Sequence, residues 1–149
     1  MWPGKDKNMD RGGTILHASC VAVDGCAVLI RGASGQGKSG LALQLMALGA
    51  ELVADDRTRV WPEGAAVMAD VPMSIHGKIE ARGVGILAAR PAGPCKVTLL
   101  VDMDRPETER LPPERQEDLL GVSLPVIRKS EFPHFPAAIL LYLKNRRLA

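Results

Sequence analysis

The chain has 149 residues, 46% of them hydrophobic, which is enough to bury one core and too few for two domains. Nineteen Lys and Arg against 17 Asp and Glu leave a net charge of +2, too small to argue for nucleic acid or an anionic membrane, and two Trp, two Phe and one Tyr are too few for a nucleic-acid stacking surface. No apolar stretch reaches the length of a transmembrane helix and the first residues are polar rather than signal-like, so the chain reads as cytoplasmic. Cys20, Cys26 and Cys95 have no metal-ligand spacing and leave one thiol over in any disulfide scheme, so they read as buried thiols.

Residues 1–13 are polar, contain glycine and show no periodicity, the signature of a flexible arm ahead of a single domain over residues 14–149. Residues 14–23 are β-prone and apolar, Asp24-Gly25 is a two-residue hairpin signal, and residues 26–30 form the returning strand. This puts His17 on a strand that pairs beside the glycine-rich stretch at 32–39. A lone histidine there is, by spacing alone, more often a hydrogen-bonded structural residue than a functional one.

The glycine-rich stretch, Gly32-Ala33-Ser34-Gly35-Gln36-Gly37-Lys38-Ser39, fills every fixed position of the phosphate-loop pattern G-x-x-x-x-G-K-[ST]. The glycines let backbone N–H groups curl around oxyanions, Lys38 adds a mobile cation for the β/γ-phosphates, and the Ser39 hydroxyl is short enough to join a Mg2+ coordination shell. The context agrees, with a buried strand running in and an apolar helix, rich in Leu41, Leu43, Leu45, Met46 and Leu48, running out to Gly49. A polyphosphate would sit on the positive end of that helix.

Residues 51–56 read as a short strand ending in Asp55 and Asp56. Such a pair at the carboxyl end of a strand can hold a metal or accept a proton, and is as readily an ordinary strand-to-turn pair. Residues 57–61 alternate as an antiparallel extension closed by a turn at Pro62-Glu63-Gly64, and residues 71–78 read as a loop. In residues 79–86 Glu80 and Arg82 alternate with small residues before Gly83 and Gly85, which suggests backbone close to another group. Residues 96–101 form a further strand ending at Asp102; residues 104–118, dense in charge and proline, read as an exposed loop with a short helical piece that carries Arg110. Residues 123–127 suit an edge strand because Pro125 cannot donate to a ladder, and residues 136–148 form a closing helix with Lys144, Arg146 and Arg147 at its end.

Taken together, His17, the loop at 32–39, Leu52-Val53-Ala54-Asp55-Asp56 and Ile79-Glu80-Ala81-Arg82-Gly83-Val84-Gly85-Ile86 resemble, in order and spacing, the catalytic domain of HPr kinase/phosphorylase. The resemblance runs from Thr14 to the C-terminus and looks like the short form known in alphaproteobacteria, which lacks the separate N-terminal domain. It implies an α/β fold, a single P-loop kinase domain of the PEP carboxykinase-like variety with a mixed central sheet whose phosphate-binding loop feeds a helix. It also implies an ATP- and Mg2+-dependent protein serine kinase acting on HPr or an HPr-like carrier of the phosphotransferase system. Lys38 matches the phosphate-binding lysine, Ser39 and Glu80 match magnesium ligands, the pair Asp55-Asp56 contains the match to the acid/base carboxylate, His17 matches the histidine upstream of the loop, and Arg110 lies where the family has a catalytic arginine. Long forms are hexameric, which leaves homo-oligomerisation open.

Two stretches depart from the family. Its F-G-A-G-A-V-R segment is replaced by residues 87–95, and R-P-G-R-N, associated with dephosphorylation, is met only by Val126-Ile127-Arg128-Lys129-Ser130. The balance favours kinase activity over phosphorolysis. A small-molecule kinase on the same loop is disfavoured by the lack of an obvious lid, and a non-catalytic nucleotide-binding module would tolerate loss of the acidic pair.

Overall fold

The computed structural model describes residues 13–72 and 77–145. The expected arm up to residue 12, part of the loop at 73–76 and the basic end at Arg146 and Arg147 lie outside the described residues. The elements in chain order are β1 (Thr14–Leu16), β2 (Ala18–Val23), β3 (Cys26–Arg31), α1 (Lys38–Ala47), β4 (Glu51–Ala54), β5 (Thr58–Glu63), β6 (Ala66–Asp70), β7 (Lys78–Ala81), β8 (Gly85–Ala88), β9 (Cys95–Pro106), β10 (Gln116–Leu119), β11 (Val122–Lys129) and α2 (Phe135–Asn145). This is a mixed α/β fold.

The β2–β3 hairpin forms where the dipeptide signal predicts it. Asp24 and Gly25 both have positive φ, 51° and 78°, the requirement of the turn that matches strand twist, and Val23 faces Cys26 across it. β3 then pairs in parallel with β9, and β9 with β11, while β2 runs antiparallel between β3 and β4. The carboxyl ends of β3, β4, β9 and β11 therefore all emerge at one edge of the sheet, the edge where ligands bind in open α/β sheets.

Among the described residues the sheet has nine strands in the order β1-β5-β6-β9-β3-β2-β4, with β11 and then β10 added beside the second half of β9. It curls, so that Val60, Val67 and Ala69 from β5 and β6 share one core with Ala18, Cys20 and Leu29, all essentially inaccessible to solvent. The alternate residues of the same central strands, Val21, Val28 and Ile30, face Leu41, Ala42 and Leu45 of α1 and Ile139 of α2. This second core fixes α1 against the strand that precedes it. The helix ends as expected, with Gly49 at φ 112° donating to Met46.

Five expectations need correction. His17 is a bend between β1 and β2 rather than a strand residue. The strand after Arg57 continues through Pro62 to a turn at Gly64, and β6 returns from it. Pro62 pairs with Val67 of β6 on one side, and among the described residues β1 pairs only with residues 58–60 on the other. Gly83 and Gly85 serve the positive-φ turn of the β7–β8 hairpin with open space around them. Gly77 is the glycine in close contact, where a Cβ would stand 2.8 Å from the Ala89 carbonyl oxygen. Residues 107–115 contain no helical piece, and β10 comes after them. The strand around Pro125 is interior, flanked by β9 and β10: Val126 donates to Arg115 (2.9 Å), so the Pro125 nitrogen faces β9, where the register begins only at Val126.

Candidate active site

The loop that leaves β3 is held open by its glycines. Gly37, at φ 96°, turns the chain into α1, and at Gly32 a Cβ would stand 3.0 Å from the Met103 Cβ. Lys38 opens the helix, is nearly buried, and directs its ammonium to the Ala33 carbonyl at 3.4 Å. Residues 34–39 thus wrap the start of α1, where unpaired N–H groups and the helix dipole favour an anion.

The strand on the far side of β2 brings the acid. Asp55 lies just beyond β4, and its Oδ1 accepts from the Ser39 hydroxyl (2.7 Å) and from the Ser19 hydroxyl (3.0 Å), while its Oδ2 accepts from the Glu80 amide (3.4 Å). Asp56 turns away through a left-handed φ of 67°, donates its amide to Ser19 (3.1 Å), and sets its carboxylate 2.7 Å from Nε2 of His17. The side chains of His17 and Asp56 are 50% and 60% exposed, so this pair faces solvent while Asp55 faces the loop. Adjacent carboxylates are aimed at different partners.

Together these groups line a cleft of about 610 Å³ bounded by Ser34, Lys38, Ser39, Asp55, Asp56 and Glu80, with Arg82 and Val84 of the β7–β8 turn at its rim. That is the size range of small-ligand sites. Among the described residues no three His, Cys, Asp or Glu side chains form a metal cage. The donors present, one hydroxyl and carboxylates in the same cleft, are hard oxygens; they fit Mg2+, which keeps waters and takes one or two carboxylates plus phosphate oxygens.

The opposite flank of the loop is built from ion pairs. Asp104 accepts from the Ala33 amide (2.9 Å), and Asp102, nearly buried, accepts from the Asp104 amide (2.9 Å) and lies 3.6 Å from Arg31 and 3.7 Å from Arg105. Arg31 also pairs with Glu117 of β10. Their mutual hydrogen bond holds the Glu117 carboxyl below the usual carboxylate range and raises the Arg31 guanidinium further.

Lys38, Ser39, Asp55, Asp56 and Glu80 thus line one cleft with Ser34, Gly35 and Gly37 of the loop; His17 is joined to it through Asp56, and Gly32, Ala33 and Gln36 belong to the loop without lining the cleft. Arg110 stands exposed in the connector between β9 and β10 and does not line the cleft. Ser19, which ties Asp55 to Asp56, belongs to no motif in the sequence. Its one signal is a hydroxyl in the otherwise apolar strand Ala18–Val23, completely buried. Asp104 likewise carries no pattern of its own; it lies within β9, which runs on to Pro106, past Asp102 where the sequence suggests the strand ends.

A glycine-rich loop runs from a buried strand into a helix, with carboxylates delivered beside it by a neighbouring strand end, in a mixed α/β protein. Residues 12–93 match the family described as HPr Serine kinase C-terminal domain, and the chain belongs to that family. It is 40% identical over 94 residues to the HPr kinase/phosphorylase of Lactococcus lactis subsp. lactis, covering 60% of this chain and 30% of that protein. With that of Oceanobacillus iheyensis it is 30% identical over 144 residues, covering 91% of this chain and 44% of the relative. The chain spans less than half the length of either. The solved structure of the Hpr(Ser) kinase/phosphatase from Coxiella burnetii superposes with a TM-score of 0.74 at 27% identity, over 90% of this chain and 96% of that one.

Proposed function

We propose that this chain is an ATP-dependent protein serine kinase that phosphorylates HPr or an HPr-like phosphocarrier, and that residues 14–149 form its catalytic unit. The observation that carries the reading is the Asp55 hub: one carboxylate, at the mouth of a phosphate loop, engaged with the hydroxyl that opens α1 and with the Glu80 segment. Phosphoryl transfer asks for positioning and neutralisation of charge more than for covalent chemistry, and these groups supply both. The loop amides and Lys38 would hold the β/γ-phosphates, and Ser39 and Glu80 would hold Mg2+, which would supply charge neutralisation there. Asp55, nearest the loop, accepts the serine proton, its bond to Ser39 being one that a bound nucleotide can replace. The pair of His17 and Asp56, open to solvent, faces the incoming protein.

Forward transfer is the favoured direction. Phosphorolysis needs groups that admit inorganic phosphate and retain the phosphoserine protein, and the candidate stretch at 126–130 has its lysine committed: Lys129 reaches the Gln36 carbonyl at 3.4 Å and Glu131 at 3.7 Å. The test is mass spectrometry of an HPr-like protein from the same organism after incubation with this chain, ATP and Mg2+. One phosphate on a serine is the expected result; label on a metabolite, or nucleotide binding without transfer, would refute it.

A further inference from the structure

One exposed ring stands in the connector that follows β11. The strand ends at the ligand edge run β11, β9, β3, β2, β4 in space, and the loop leaves the middle one. Asp55, at the end of β4, bonds Ser39, so the transferred end of a nucleotide faces that flank. The base of a nucleotide extended across the loop then lies toward the other flank, which is formed by the end of β11. There Lys129, the last residue of β11, donates its ammonium to the Gln36 carbonyl, so the connector at 130–134 starts one lysine side chain away from the loop.

In that connector Phe132 is 66% exposed, whereas the chain's other phenylalanine, Phe135, is 8% exposed and part of the core. The Phe132 ring is stacked on His134, with centroids 5.3 Å apart and planes at 12°. Its backbone is fixed on both sides: the Phe132 amide donates to Ser130 Oγ (3.2 Å) and its carbonyl accepts from Phe135 (3.0 Å). A large ring held by its backbone, backed by a second ring and open on its other face, is a preorganised surface for a flat aromatic ligand. A single base needs only one such ring.

We propose that Phe132, backed by His134, is the stacking platform for the adenine of the bound nucleotide, a role that rests on the reading of the cleft as an ATP site. Stacking acts on the base and leaves the triphosphate alone, which makes it separable from the loop. Calorimetric titration of the whole chain with MgATP and, separately, with magnesium tripolyphosphate tests it. Phe132→Ala is expected to weaken ATP binding about tenfold and leave tripolyphosphate unchanged. Phe132→Trp should restore ATP binding, and His134→Ala should give a smaller loss confined to ATP. Because Phe132 is exposed, the thermal midpoint of the alanine variant should match the parent's. Unchanged ATP affinity in Phe132→Ala, or equal loss of both ligands, overturns the platform while leaving the cleft reading intact. If the parent chain binds neither ligand, the cleft reading fails and takes the platform with it.

Discussion

The two flanks of the glycine-rich loop at 32–39 carry carboxylates of opposite character. On the β2–β4 side, Asp55 is bonded to serine hydroxyls and a backbone amide, and Asp56 to a half-exposed histidine; these partners can turn away when a ligand arrives. On the β9–β11 side, Asp102 and Glu117 are matched by Arg31 and Arg105, and Asp104 by the amide of Ala33. Guanidinium pairs of this kind hold structure and leave little capacity for new chemistry. Under the proposed kinase reading one edge of one sheet divides into a reactive side and a bracing side, and substitution should expose the division: losses of rate on the first, losses of stability on the second.

The largest effect should come from Lys38 in the loop between the flanks. Lys38→Ala removes the cation and leaves the glycine-shaped backbone, so the protein should fold while phosphorylation falls by about 3 kcal/mol of transition-state stabilisation or more, on the order of a hundredfold. A variant keeping over about a tenth of the rate would count against a phosphate-loop kinase. Next comes Glu80→Gln, which preserves shape and removes charge. Activity should drop and the magnesium midpoint should move to higher concentration, with no change in melting temperature. An unaltered magnesium titration would make Glu80 structural and leave Asp55 and Ser39 to hold the metal.

The reactive side is easier to read in the sequence than the bracing side, for physical reasons. The loop at 32–39 imposes steric and charge demands at each fixed position, so residue identity alone declares it. Asp55 and Asp56 are visible as a pair. Their division of labour is not, because it depends on the left-handed turn at Asp56 and on Ser19, a buried hydroxyl contributed by a strand more than 30 residues earlier. The bracing side depends on strand pairing that leaves little local trace. β10 is Gln-Glu-Asp-Leu, polar throughout its first three residues, and is a strand only because β11 pairs with it; charge density there suggests a helix, which Pro106, Pro112 and Pro113 oppose. Arg110 is a candidate only through the resemblance, and among the described residues its connector does not line the cleft.

On the bracing side, Asp102→Asn should cost stability first. The Asp102 side chain is only 8% exposed and lies near two arginines while accepting the Asp104 amide, so neutralising it leaves cations without their buried partner. Arg31 keeps Glu117, which limits the damage to about 2 kcal/mol, seen as a lower urea midpoint with an unchanged slope. Rate per folded molecule should change far less than in the Glu80 variant. A normal midpoint with a collapsed rate would move Asp102 to the reactive side and erase the contrast.

The smallest effect belongs to the outermost pair, and its pH dependence distinguishes it. The hydrogen bond from Arg31 holds the Glu117 carboxyl below its usual value, so the folded state binds that proton less readily than the unfolded chain does. The pair's contribution is therefore complete above the unfolded value of about 4.3 and is lost as pH falls through the lower folded value, because the protonated acid no longer attracts the guanidinium. Both side chains are partly open, 32% for Arg31 and 43% for Glu117, so screening keeps the contribution under about 1 kcal/mol. Glu117→Gln should lower the unfolding free energy by that amount at pH 7, and the difference from the parent should close on acidification below about pH 4. Added salt should narrow it at neutral pH as well. A gap that persists in acid would mean that the substituted amide fails to pack where the carboxylate did, and that β10 is held to Arg31 by shape rather than charge.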